Sequence, residues 1–131
     1  MRYLHMLLCL TMIGFTAVQY NDPDALLWIV YYSVPAGWTW FAAFRPDAVR
    51  SAKGTRLISA CVAVWLGLVI FYWPEMPNFW RPEVFNVEET AREGMGLMIA
   101  WACLVLVALT AWVKEKRTDS PSLPVIKREP N

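Results

Sequence analysis

Residues 95–113 read M-G-L-M-I-A-W-A-C-L-V-L-V-A-L-T-A-W-V and contain no Asp, Glu, Lys or Arg. A helix needs about 20 largely apolar residues to cross the hydrocarbon core of a bilayer. A buried helix of a water-soluble domain would still show a polar stripe at a period of 3.6 residues, and none runs through this stretch. Inside lipid every backbone N–H and C=O must be paired within the segment, so the run reads as a membrane helix. Working outward, three more runs without a charged side chain occupy residues 4–20, 25–44 and 57–73. The chain reads as an all-α integral membrane four-helix bundle, with helices at about 4–20, 25–44, 57–73 and 87–115.

Composition agrees with that reading. Hydrophobic residues make up 57% of the 131 positions and charged residues 18%, where a soluble domain runs nearer half and a quarter. The length allows one domain. Residues 1–117 form the four-span unit, and 118–131, with Ser-Pro-Ser-Leu-Pro and mixed charges, read as a disordered cytoplasmic tail. A net charge of +1 argues against a nucleic-acid partner. One His and three Cys argue against a zinc finger or a haem site. Cys9, Cys61 and Cys103 all lie inside apolar runs with no C-x-x-C pair, and read as small buried side chains. His5, at the end of the first run, reads as an interface residue rather than a ligand. Arg2 followed by an apolar stretch also resembles a signal peptide, but Thr16-Ala17-Val18-Gln19-Tyr20 lacks the small-x-small cleavage pattern, so a retained helix is expected.

The near-zero charge is a cancellation. Arg2, the connection holding Arg45, Arg50, Lys53 and Arg56, and the chain after Val113 fall on one side with a net charge of +6. Asp22, Asp24, Glu75, Glu83, Glu88, Glu89 and Glu93, against Arg81 and Arg92, leave −5 on the other. Basic loops stay in the cytoplasm, so both termini are expected there and the acidic loops outside. The expected location is the plasma membrane, or the inner membrane of a bacterium. Lys114, Lys116 and Arg117 would meet anionic lipid.

Lipid gives helices little hydrophobic reason to associate, so small residues must let them approach. Ser59, Ala63 and Gly67 form such a seam on the third helix; Gly96, Ala100 and Cys103 on the fourth; Gly14 and Ala17 on the first. Pro35 should remove one backbone bond of the second helix and kink it, with neighbours absorbing the kink. Trp28, Trp73 and Trp80 fit an aromatic belt at the outer boundary, and Trp38, Trp40 and Trp112 one at the inner boundary, with Trp65 and Trp101 deeper. Residues 74–85, P-E-M-P-N-F-W-R-P-E-V-F, read as an outer loop whose Phe79, Trp80 and Phe85 dip into the membrane surface or dock a partner.

Two outer stretches carry the local chemistry. In Gln19-Tyr20-Asn21-Asp22-Pro23-Asp24, Asn21 or Asp22 can cap the second helix, Pro23 suits a first helical position, and Asp24 favours the positive end of the helix dipole. In Asn86-Val87-Glu88-Glu89-Thr90-Ala91-Arg92-Glu93-Gly94-Met95-Gly96, Asn86 and Glu89 resemble a capping box, and Glu88 and Arg92 can pair at a spacing of four. Glu89, Glu93, Gly96, Ala100 and Cys103 share one helical face. If the small residues face the bundle, Glu89 and Glu93 stand over its outer mouth beside the Asn21–Asp24 turn. The cluster of Asn21, Asp22, Asp24, Glu89, Arg92 and Glu93 then reads as a polar network pinning two loops. The rival is a ligand or ion site; such hard oxygen ligands suit Ca²⁺, Mg²⁺ or Mn²⁺. No cofactor is otherwise expected.

At these two stretches the chain resembles transmembrane protein family 220, a family of small four-span helical proteins. Q-Y-N-D-P-D-A-L-L-W (19–28) and E-T-A-R-E-G-M-G (89–96) carry the resemblance, which extends over about residues 1–113. It implies the fold and the membrane location, and it suggests that Asn21, Asp22, Pro23, Asp24, Trp28, Glu89, Arg92 and Glu93 are a shared feature. It implies no activity. No nucleophile motif, phosphate loop or H-E-x-x-H is present, so a non-enzymatic role is expected. The expected role is an accessory or assembly subunit, or a small-ligand or ion-binding module, in contact with lipid and with a membrane-protein partner or further copies of itself. The alternative is a transporter or channel component whose carboxylates attract cations.

Overall fold

The computed structural model describes residues 1–73, 78, 80–87 and 89–118, without the side chains of 85, 86 and 114–118. Four long helices dominate them: α1 (Arg2–Val18), α2 (Ala25–Phe44), α4 (Ala52–Tyr72) and α6 (Glu89–Thr118). The short helices α3 (Pro46–Arg50) and α5 (Pro82–Val87), with a 3₁₀ turn at Gln19–Asn21, sit between them. Among the described residues three helical segments, Arg2–Asn21, Ala52–Tyr72 and Glu89–Val113, are long and apolar enough to cross a membrane. The 20 residues of α2 match them in length and lack a charged side chain.

α6 is the centre of the molecule. It packs against α1, α2 and α4, while α1 lies mainly on α2. Leu97, Ala100, Leu104 and Val107 are all fully buried, at the three- and four-residue spacings of one helical face. The Gly96, Ala100 and Cys103 seam faces inward as expected, with Cys103 only 2% exposed. The other two seams do not. α4 turns Ile58, Trp65 and Val69 inward and leaves Ala63 and Gly67 exposed. Gly14 and Ala17 of α1 are exposed as well. α4 packs mainly on α6, and it meets α2 through indoles rather than through close backbones: Trp38 Nε1 lies 3.3 Å from Cys61 Sγ.

Pro35 is absorbed as expected, and the structure shows how. A proline lacks the N–H that would bond the carbonyl of Tyr31, four residues earlier. Trp65 of α4 supplies the missing donor, its Nε1 lying 3.2 Å from that carbonyl oxygen. One turn on, the Thr39 hydroxyl reaches the carbonyls of Pro35 and Ala36, both at 2.9 Å. Cys9 Sγ of α1 approaches the Ala36 carbonyl at 3.5 Å. The three cysteines are free, with Cys9 and Cys103 buried.

The connections differ from expectation in places. The basic connection folds into α3, begun by Pro46 and tied by an Asp47–Arg50 pair at 3.5 Å. Ser51 then caps α4, its Oγ accepting from the Gly54 N–H at 3.0 Å, so α4 begins five residues before the apolar run. Gly54 is needed there, because a Cβ would run into the Ala48 carbonyl and come within 2.6 Å of that of Val49. On the other side, α5 replaces part of the expected outer loop, and Asn78 takes a left-handed φ of 60° in the turn before it. α6 begins at Glu89 and extends to Thr118. The expected tail beyond it, the Glu88–Arg92 pair, the Asn86 capping box and the membrane dipping of Phe79 and Phe85 lie outside the described residues.

Candidate functional site

The outer stretches meet where the 3₁₀ turn and the start of α2 face the head of α6. Asp24 is the residue that caps α2, rather than Asn21 or Asp22, yet its carboxylate caps no backbone N–H. Instead Oδ2 accepts from Trp28 Nε1 at 2.8 Å. The pairing is local, because residues four apart share a helical face. It matters because Trp28 is 1% exposed, and a buried indole N–H without an acceptor would be costly. Trp28 is therefore an interior residue rather than part of an interfacial belt. Trp73, Trp80, Trp40 and Trp112 are exposed, as a belt requires.

Trp28 stacks on Tyr32, with ring centroids 5.9 Å apart and an interplanar angle of 26°. Phe15 of α1 meets the same tyrosine edge-on at 5.4 Å, and Tyr72 of α4 lies 5.7 Å from Trp28. The Tyr32 hydroxyl occupies the space over Gly96, where any Cβ would strike it. A chain of contacts thus runs from Asp24 through Trp28 and Tyr32 to Gly96. It joins the two sequence motifs through Tyr32, which belongs to neither.

The carboxylates gather above this stack. Glu93 is half-buried, and its electrostatic neighbours are Asp24, Glu89 and Asp22, with Arg92 of opposite sign. Glu93 and Asp22 also act on Tyr32. Asn21 is exposed in the 3₁₀ turn and Glu89 is exposed at the head of α6. Glu93 and Asp24 are thus the members of the expected cluster tied most closely to the buried stack. Among the described residues no three His, Cys, Asp or Glu side chains stand close enough together to hold a metal ion.

Sequence reasoning missed Tyr32 and the Asp24–Trp28 bond. Their signal was present in the spacing: Asp24, Trp28 and Tyr32 are four apart on one face of α2. His5, read as an interface residue, is instead 3% exposed. Its Nε2 lies 3.3 Å from Thr110 Oγ1 of α6.

The comparisons with known proteins meet these same regions. The family model described as "Transmembrane family 220, helix" matches residues 11–109. The protein "Transmembrane protein 220" of Xenopus laevis is 34% identical over 89 residues, 68% of this chain and 48% of the relative. The chain spans about half the length of that curated relative. No solved structure matches the chain.

Proposed function

The chain belongs to transmembrane family 220, and from that premise we propose that it is a non-enzymatic accessory subunit of a membrane assembly. In this reading α2 is the fourth span, both ends lie in the cytoplasm, and the membrane is the plasma membrane or a bacterial inner membrane. The charge separation between the two ends supports that orientation.

The observation that carries the accessory role is the outward turn of α4. Ala63 and Gly67 are exposed and Ser59 is half-buried, and a Cβ on Gly67 would meet nothing within 4 Å. Such a face lets the backbone of a further helix approach closely, which is how helices associate in lipid. The outer carboxylates then serve the protein's own packing, since Asp24 is already engaged by Trp28. Mild-detergent copurification tests the role. A stoichiometric partner or a second copy should accompany the full chain and be lost on Ala63→Leu with Gly67→Leu, while melting of the isolated chain stays unchanged. Copurification that ignores both substitutions refutes the assignment.

A second reading rests on Glu93, half-buried among Asp24, Glu89 and Asp22. That convergence would concentrate cations at the mouth of a channel or transporter component. Proteoliposomes holding the purified chain separate the two. Cation flux that falls on Glu93→Gln selects the second reading, and no flux above empty liposomes selects the first.

A further inference from the structure

At the end of the molecule opposite the carboxylates, a cavity of about 620 Å³ opens between the start of α1, the end of α2, α3 and the end of α6. Its polar lining is Arg2, His5, Arg50 and Thr110, and Leu106 and Leu109 contribute to its apolar wall. Two features set it apart from an ordinary crevice between helices. The first is charge. Two guanidinium groups border a largely apolar chamber, and among the described residues no carboxylate lines it. Arg2 lies 5.2 Å from the centre of the Phe44 ring, and the Asp47 partner of Arg50 is 97% exposed at a distance of 3.5 Å.

The second feature is His5. Its imidazole is 3% exposed. The Thr110 hydroxyl donates to the Val107 carbonyl at 2.9 Å, so toward His5 it is left to accept, and Nε2 carries the proton. Nδ1 is buried and has no hydrogen-bond partner among the described residues. In that tautomer Nδ1 is an acceptor and cannot bond an oxyanion; an anion bound beside it favours the imidazolium form, whose Nδ1–H then donates. The backbone adds to the same end, because α1 begins there without a side-chain cap on its first N–H groups.

We propose that this cavity binds an anionic amphiphile: an oxyanion headgroup held by Arg2 and Arg50 beside His5, with its hydrocarbon chain along Leu106 and Leu109. Guanidinium groups recognise phosphate and carboxylate through charge-assisted, often bidentate bonds. The volume lies within the range of small-molecule sites. Basic pockets between membrane helices are suited to acidic headgroups. The oxyanion is either the phosphodiester of an acidic phospholipid or the carboxylate of a free fatty acid.

The test uses the full chain purified in an uncharged detergent, with melting temperature and bound mass by native mass spectrometry as readouts. The probes are dioleoylphosphatidylglycerol, oleate and inorganic phosphate. Arg2→Gln and Arg50→Gln are compared with Lys53→Gln, which removes the same charge from the same end but does not border this cavity. Saturable stabilisation by phosphatidylglycerol, oleate or both, weakened about tenfold by each arginine substitution and little by Lys53→Gln, is the expected result. Phosphatidylglycerol alone identifies a phospholipid site, and oleate alone a fatty-acid site. Inorganic phosphate acting as strongly as the amphiphiles, Lys53→Gln weakening binding as much as Arg50→Gln, or no saturable binding at all overturns the proposal. The unliganded melting temperature of each variant shows that it is folded. None of these readouts depends on a protein partner or on cation flux.

Discussion

Trp65→Phe should cost much more stability in the natural chain than in a chain carrying Pro35→Ala. The Trp65 indole donates to the Tyr31 carbonyl that Pro35 leaves without its helical partner. Phenylalanine removes that donor and strands the carbonyl inside the protein. An unpaired buried acceptor costs about 1–3 kcal/mol in a water-soluble setting. Interhelical hydrogen bonds in lipid average about 0.6 kcal/mol and reach about 1.7. At 3.2 Å this bond is long for its kind, so we expect about 1 kcal/mol from the bond itself, to which the smaller ring adds a packing loss. In the Pro35→Ala background the new N–H bonds the Tyr31 carbonyl in the ordinary helical way. The packing loss remains while the hydrogen-bond loss disappears. The double-mutant coupling should therefore be about 1 kcal/mol, roughly fivefold in the unfolding equilibrium. Equilibrium unfolding of the four proteins in mixed micelles, followed by far-ultraviolet circular dichroism, measures it. An equal cost of Trp65→Phe in both backgrounds would falsify the claim that the indole substitutes for the missing N–H.

Gly96→Ala places a methyl group on the Tyr32 hydroxyl and should destabilise by about 1–3 kcal/mol; Tyr32→Phe should recover part of the loss, and a double variant no better than Gly96→Ala alone would contradict the contact. Asp24→Ala should lower the melting temperature by stranding the buried Trp28 N–H, at about 1–3 kcal/mol, whereas Asp24→Asn, which keeps an acceptor oxygen, should cost less. Gly54→Ala meets the rigid carbonyls of Ala48 and Val49 and should destabilise more than Gly67→Ala, which meets open space; parallel thermal melts read the difference. Ser51→Ala removes the Gly54 N–H acceptor and should cost about 1 kcal/mol, visible in the same melts.

The membrane class was legible without coordinates because it depends on what is absent. Long runs without charge need no knowledge of neighbours to exclude water as their solvent, and the opposed charge at the two ends is likewise additive along the chain. The inward face of α6 was also legible, since Gly96, Ala100 and Cys103 lie on one side of a helix that neighbours surround. The same reasoning failed on α4. In lipid both large and small residues are apolar, so hydropathy does not tell the face that packs from the face that does not. There tertiary packing decided: α4 lies mainly on α6 and turns Ile58, Trp65 and Val69 inward while Ala63 and Gly67 stay exposed.

The candidate site divides in the same way. That Asp24 and Glu93 belong to one cluster followed from charge and helical spacing. That Asp24 serves Trp28, and that Tyr32 joins the two motifs by resting on Gly96, required the relative rotation of α2 and α6. The solvent of the helices and the charge asymmetry of their ends are readable from the chain alone, because composition sums along it. Which donor meets which acceptor depends on how the helices pack, because the Pro35 gap and the Trp65 indole are 30 positions apart and hydrogen bonds act over a few ångströms.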